Sequence, residues 1–365
     1  MQLTYRQKII LTTALVLLVV ALMLALAEGA IRLRQWVKFG HFGQLDTIYA
    51  VDQETGLRVP VANASTRTIS INSLGFRGPH LKQPKPAGTM RVAFLGASTT
   101  FCAEVSGEEM TWPYLVSQAL QDAFPDIKVD YVNGAVPGYT IKSSLRNLRK
   151  RVKPLQPDVI IIYHATNDLS RETRSLALEQ GIYEDGKAEE TSWLAEYSLL
   201  WYLVEKNLYI NDLQRDAVTD KGRLVFSAAA LGAQYRKELT LLAMEAKETA
   251  GVVVLATFSH QFRAEQTPEQ RLTAAKSALY YMPFMTPHSL IEAFRQYNAI
   301  IRDVARETGT VLIEGETVIP GDSEHFNDSV HFKDAGSRAM AKRVSEILLK
   351  STELQALAEG IRSGS

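Results

Sequence analysis

Five short apolar runs recur through the chain: RVAFL (91–95), VDYV (129–132), DVIIIY (158–163), VVVLATF (252–258) and TVLIE (310–314). Amphipathic helical patterns such as WPYLVSQALQDAF (112–124) and HSLIEAFRQYNAIIRDVARET (288–308) separate them. A strand that is apolar on both faces needs cover on both faces, and interleaved helices supply it. The alternation therefore predicts an α/β domain built on a parallel sheet. A helix that begins near Lys333 and Asp334 and runs through Leu349 closes the domain. Two stretches exceed this minimal plan: residues 169–250, and residues 261–287 with the apolar segment LYYMPFM (279–285). Insertions at strand ends are where such folds keep lids and substrate pockets.

With 365 residues there is room for one large domain plus accessories, or for two modest domains each able to bury a core. Lysine plus arginine and aspartate plus glutamate balance at 40 each, so no global field draws nucleic acid, and no such partner is expected. The single cysteine, Cys102, cannot form an intrachain disulfide and reads as a small buried hydrophobe. No H-E-x-x-H, P-loop or G-x-G-x-x-G in a βαβ setting occurs, so neither a metal nor a nucleotide cofactor is expected. The basic run RNLRKRVK (146–153) reads as the solvated face of the helix before the third strand.

Residues 9–27, IILTTALVLLVVALMLALA, carry no charge and show no polar face. Their length is about that needed to cross a hydrocarbon core of roughly 30 Å. Two readings stand. One is an uncleaved anchor, with Arg32, Arg34, Trp36 and Lys38 as its interfacial flank. The other is a cleaved signal, with Arg6 and Lys8 before the run and Ala25-Leu26-Ala27 as the peptidase site. The length of the run and its flank favour the anchor. Basic residues on both sides leave orientation open, and a body outside the cytoplasm, periplasmic or beyond, is the simpler arrangement. Residues 39–89, with NSLGFRGPH (72–80) and KQPKPAGT (82–89), form a spacer that is either a small β-rich cap or a stalk. The expected organisation is anchor and flank (1–38), spacer (39–89), α/β domain (90–350) and a C-terminal tail (351–365).

The residues just past each run carry the chemistry. Gly96-Ala97-Ser98 stands after the first; NGAVPGYT, with Asn133, Gly134 and Gly138, after the second; HATND, with Asn167 and Asp168, after the third; GDSEHFNDSVHFKDAG after the fifth. Open α/β sheets bind ligands at the carboxyl ends of their strands. A hydroxyl nucleophile needs a base, a carboxylate to orient the base, and donors for the oxyanion. Singly, each group has a plain structural role: Ser98 and Asp328 as helix caps, Gly138 as a turn glycine, Asn167 in an Asx-turn, His331 on the surface. Their joint order argues for a site.

Over residues 90–350 the sequence resembles the SGNH hydrolases, the GDSL-type esterase superfamily. The matching blocks are Gly96-Ala97-Ser98, Asn133 through Gly138, Asn167-Asp168, and Asp328-Ser329-Val330-His331. The resemblance implies a flavodoxin-like three-layer sandwich of about five parallel strands in the order 2-1-3-4-5, with Ser98 and Asn167 facing one crevice. It implies Ser98 as nucleophile, His331 as base and Asp328 as its orienting carboxylate. The Ser98 and Gly138 amides and the Asn167 side chain become the oxyanion donors, and no cofactor is involved. Ala97 stands where the name motif has aspartate, and Ala165 where glycine is usual. Asp and His three residues apart, and the missing last glycine of G-x-S-x-G, argue against the α/β-hydrolase plan. The literal triplet Gly321-Asp322-Ser323 comes after no apolar run, and it creates a second D-x-x-H from Asp322 to His325. Asp328 and His331 are preferred because a helix start with Gly336 lies directly beyond them. His164 reads as a satisfied hydrogen bond at a strand end.

The implied activity is a membrane-anchored serine esterase acting on an O-acyl ester of an envelope carbohydrate or lipid, either a small molecule or a polysaccharide. An acyltransferase using the same acyl-serine and a non-catalytic envelope assembly factor are the alternatives. WLAEYSLLWYLV (193–204) and the segment 279–285 either pack together as an accessory core or form a lid, with Trp201, Tyr281 or Phe284 lining a channel to Ser98.

Overall fold

The computed structural model describes residues 4–39, 48–182, 192–217, 224, 226 and 231–364. A small antiparallel hairpin, β1 (Tyr49–Val51) and β2 (Arg58–Pro60), precedes the main sheet. The sheet contains β3 (Thr89–Gly96), β4 (Lys128–Asn133), β5 (Val159–Tyr163), β6 (Val252–Ala256) and β7 (Val311–Ile313). Its order is β4-β3-β5-β6-β7 with every neighbouring pair parallel, which is the expected 2-1-3-4-5 arrangement. Every residue of β3, β5 and β6 is buried, as continuous apolar runs require.

The helices that cover the sheet pack in two groups. Trp112–Ala123 packs against Asp334–Leu348, while Ala233–Lys247 packs against Ile141–Asn147 and Pro287–Thr308. Much of the stretch 169–250 is thus ordinary cover, supplied by Thr166–Glu179 and Ala233–Lys247. The additional helices are Trp193–Tyr197 and Leu199–Ala217; residues 183–191, 218–223, 225 and 227–230 of that stretch lie outside the described residues. The C-terminal segment carries a helix, Thr352–Ser363, that buries Leu354 and Ala358 and pairs Arg362 with Asp126 at 2.6 Å.

Of the two forms open to the spacer, its described residues (48–89) take that of a cap. Ile48, Ile69 and Ile71 pack with Phe101 and Ala135 in a small core of their own. Arg77, fully buried, fastens this cap to the domain: its guanidinium donates to the carbonyls of Phe101 (2.6 Å), Cys102 (2.6 Å) and Thr68 (2.8 Å) and pairs with Glu108 (3.0 Å). The basic run 146–153 does more than face solvent. Arg146 donates to Thr55 O at 2.9 Å, Arg151 to the Leu74 and Gly75 carbonyls, Lys150 pairs with Glu54 and Arg149 with Glu245. The sequence concealed these links because their partners lie about 70 to 100 residues away.

The helix Tyr5–Phe39 contains a window of mean hydropathy 3.0, none of it buried. A core helix of such composition would be covered by protein. This one is long and apolar enough to cross a membrane, a property that signal sequences share.

Arg77→Ala should lower the unfolding free energy of the full chain by roughly 2–4 kcal/mol, because it strands two buried carbonyls and a partly buried carboxylate. Urea denaturation in detergent measures this. An unchanged midpoint would mean that the cap is held elsewhere.

Candidate active site

β3 ends at Gly96, where a Cβ would stand 2.1 Å from Thr100 Oγ1, so only glycine lets the chain turn so tightly there. Ala97 is the cap residue of the short helix Ser98–Phe101 and offers no side-chain bond. Ser98 is therefore not the cap. Its Oγ lies 2.7 Å from His331 Nε2, and His331 Nδ1 lies 2.8 Å and 3.0 Å from the two oxygens of Asp328. Asp328 Oδ1 also accepts from the Val330 and His331 amides, both at 3.0 Å, which fixes the carboxylate against its own loop.

Ser329 locks that loop from beneath. It donates to Ala274 O (2.7 Å), accepts from Ala278 N (3.0 Å), and its carbonyl accepts from Gln261 N (2.8 Å). The stretch 261–287 thus holds the histidine loop in place through the start of the helix Lys276–Tyr281.

The loop after β4 adopts φ +87 at Gly138, a conformation that L side chains rarely take. A Cβ there would meet open space, so the backbone conformation is what calls for glycine. Asn167 Nδ2 gives one hydrogen to Tyr139 O (2.9 Å), and Asp168 accepts from Ile141 N (3.1 Å). The pair therefore clamps the loop that carries Gly138 from both sides. Asn133 Nδ2 donates to Thr100 O (3.1 Å), which ties the same loop to the serine turn. Burial pushes the Asp168 carboxyl up to about 7, despite the Ile141 amide. His164 is buried 2.7 Å from Ser144 Oγ, and burial lowers its pKa to about 3, so it stands neutral as a structural bond. Ala97 and Ala165 have negative φ, −115 and −167, so neither position calls for glycine through a left-handed backbone.

Ser98, His331, Gly138 and Asn167 line one cavity of about 360 Å³. Asp328 stands behind His331, and the second pair, Asp322 and His325, stays outside. Asp322 and His325 make the same local contact at 2.8 Å, yet His325 does not border the cavity. Of the three expected channel residues only Tyr281 reaches it. Phe284 is buried, and Trp201 lies away from the cavity, bonded to Glu205 and Ser192. Cys102 is buried and its thiol is pushed up to about 12 by that burial, in keeping with a packing role.

Three lining residues carry no signal in the sequence: Tyr49 and Arg58 from the cap hairpin, and Glu104 from the turn beyond Ser98. Glu104 matters electrostatically. Burial depresses the His331 imidazole, but the charges of Glu104 and Asp328 outweigh it and hold its pKa at about 9. Burial likewise raises the Asp328 carboxyl, and the His331 imidazole with the two loop amides more than offsets this, keeping it below the usual aspartate range.

The sequence model of the GDSL-like Lipase/Acylhydrolase family matches residues 94–339, the span that holds Ser98, Glu104, Gly138, Asn167, Asp328 and His331 but not the cap residues Tyr49 and Arg58. The chain belongs to this family. Comparison with curated proteins gives no match. Among solved structures, the chain is similar to an acetylxylan esterase from Geobacillus stearothermophilus (16% identity over 70% of this chain and 93% of that one, TM-score 0.42). It is also similar to an alpha/beta hydrolase enzyme from the metagenome of Lake Arreo, Spain (14% identity over 76% and 98%, TM-score 0.43).

Only a neutral imidazole can accept a proton from Ser98, so kcat/KM for a short ester should climb as pH rises toward about 9. Glu104→Gln removes one of the two charges that raise the imidazole pKa and should move this ascending limb to lower pH. A pH–rate profile settles the point, and a limb that stays put would take Glu104 out of the charge balance.

Proposed function

We propose that this family member is a membrane-anchored serine esterase that removes a short acyl group from an envelope carbohydrate or lipid, with its body outside the cytoplasm. The observation that carries the reading is the continuous hydrogen-bonded chain Ser98–His331–Asp328 opening on a cavity. Ser98 Oγ attacks the ester carbonyl while His331 Nε2 takes its proton, and Asp328 steadies the resulting imidazolium. The Ser98 and Gly138 amides and the remaining hydrogen of Asn167 Nδ2 receive the oxyanion. Collapse returns the proton from His331 to the departing alkoxide, and water then frees the acyl group from Ser98 by the same steps in reverse order.

Support for a short acyl group comes from size. The cavity of about 360 Å³ is near the lower end of ligand sites, roughly 300–1,000 Å³. The apolar walls from Ala103, Pro137, Met282 and Val330 suit an acyl chain, while Arg58 and Tyr49 at the cap side suit a polar alcohol portion. The exposed apolar helix at residues 5–37 supports the anchor.

A fluorophosphonate should label the full chain, and Ser98→Ala should abolish both labelling and hydrolysis of acetyl esters. His331→Ala should cut turnover by ~10³ to 10⁶, while His325→Ala leaves it nearly unchanged. A hydrolysis profile from acetyl to long acyl esters, run with and without a sugar acceptor, tests the substrate. Long-chain preference would overturn the short-acyl reading, and acyl transfer to the sugar in place of water would make the protein a transferase.

A further inference from the structure

Glu28 stands one residue beyond the charge-free run 9–27. Its carboxylate accepts from Ser198 Oγ (2.9 Å) and from the Leu199 and Leu200 amides (3.0 and 2.8 Å), the open N–H groups at the head of the helix Leu199–Ala217. Arg32 pairs with Glu28 at 2.6 Å and donates to Tyr197 O at 3.1 Å. The two additional helices are thus fastened where the N-terminal helix leaves its apolar stretch.

Around that point large side chains stand uncovered. Trp193 is 69% exposed and Tyr197 75%, and along the next helix Trp201, Val204 and Leu208 remain open to solvent at a spacing that forms one stripe. A different face of the same helix turns toward the body. Tyr209 meets the Tyr280 ring edge-to-face at 5.9 Å, and Lys206 Nζ lies 5.1 Å from that ring. Tyr281, the next residue, lines the cavity that holds Ser98.

We infer that the helices Trp193–Tyr197 and Leu199–Ala217 make a second contact with the membrane, their uncovered aromatic and aliphatic side chains entering the lipid headgroup region beside the N-terminal helix. The inference rests on the proposed anchor. Tryptophan and tyrosine concentrate at this depth because their rings are apolar and their N–H or O–H groups remain wet. Elements of this type lie in the interface plane, about 5–10 Å into the headgroup and acyl boundary. The occupant is lipid because the patch continues from the apolar span through Glu28 and Arg32. The contact also gives the pocket a fixed height, since the chain of contacts runs from lipid through this helix and Tyr280 to the wall formed by Tyr281.

The test places the full chain, in a Trp36→Phe background, in phosphatidylcholine vesicles brominated on the upper acyl chain. Trp36 lies on the anchor helix and is removed for that reason, whereas Trp112 is fully buried in the domain and contributes an unquenched background. Tryptophan emission should be quenched relative to ordinary vesicles, and the quenching should be lost when Trp193 and Trp201 are also replaced by Phe. Quenching that is absent from the start, or that survives both replacements, overturns the second contact. Carbonate washing of the same vesicles separates the two readings. A chain that stays bound but unquenched keeps its anchor and loses only this inference, while a chain that washes off loses both.

Discussion

Parallel strands cannot be joined by tight turns. Each connection must cross a face of the sheet and come back, so all five carboxyl ends gather along one edge. β4 lies to one side of β3 and β5 to the other, and the loops leaving β3 and β5 part in opposite directions. Gly96 pairs with Tyr163 across these strands, which places Ser98 two residues past one partner and Asn167 four past the other. Their meeting is a consequence of register alone. His331 comes from beyond β7 at the far edge and has no such guarantee. The bonds of Ser329 to Ala274, Ala278 and Gln261 fix the loop that carries it.

This division explains what the sequence could disclose. Strands buried on both faces must be apolar throughout, and a site assembled at successive strand ends must appear as ordered blocks, so both were legible. Glu104 was not, because it belongs to none of the ordered blocks. Tyr49 and Arg58 were not, because their part in the cavity depends on how the cap sits, and the arginines that fasten the cap, Arg77, Arg146 and Arg151, bond largely to backbone carbonyls. Backbone carbonyls are offered by every residue type and leave no trace in composition. The basic run 146–153 misled for a related reason: its charges find Glu54, Glu245 and the carbonyls of Thr55, Leu74 and Gly75, none of them near in sequence.

The two Asp-x-x-His segments show how far a spacing motif reaches. In both, the aspartate accepts from the histidine's own amide and from its ring, with ring distances of 2.8 Å. The spacing specifies a turn and an orientation of the imidazole, and the two turns are alike in this respect. What differs is the surroundings. Asp322 is half exposed and Asp328 only 28% exposed, while the two imidazoles are about equally covered; what sets His331 apart is Ser98 Oγ at 2.7 Å from its Nε2 and the cavity it borders. That neighbour comes from more than two hundred residues away, so it is a property of the whole fold.

A second carboxylate near such an imidazole cuts both ways. In the proposed mechanism it strengthens the ring as a proton acceptor and stabilises the imidazolium that forms as Ser98 gives up its proton. It also leaves a smaller neutral fraction at any pH below the raised pKa of about 9. General-base efficiency depends on the product of these two quantities, which is largest when the pKa lies near the working pH. The same imidazolium must later give its proton to the leaving oxygen, and a weaker acid does so readily only when that oxygen is strongly basic. Alkoxides of sugars and simple alcohols are strongly basic, and phenolates much less so. Under the proposed mechanism, a raised imidazole pKa therefore costs rate in acid and suits a basic leaving oxygen better than a weakly basic one, and Glu104 contributes to both effects.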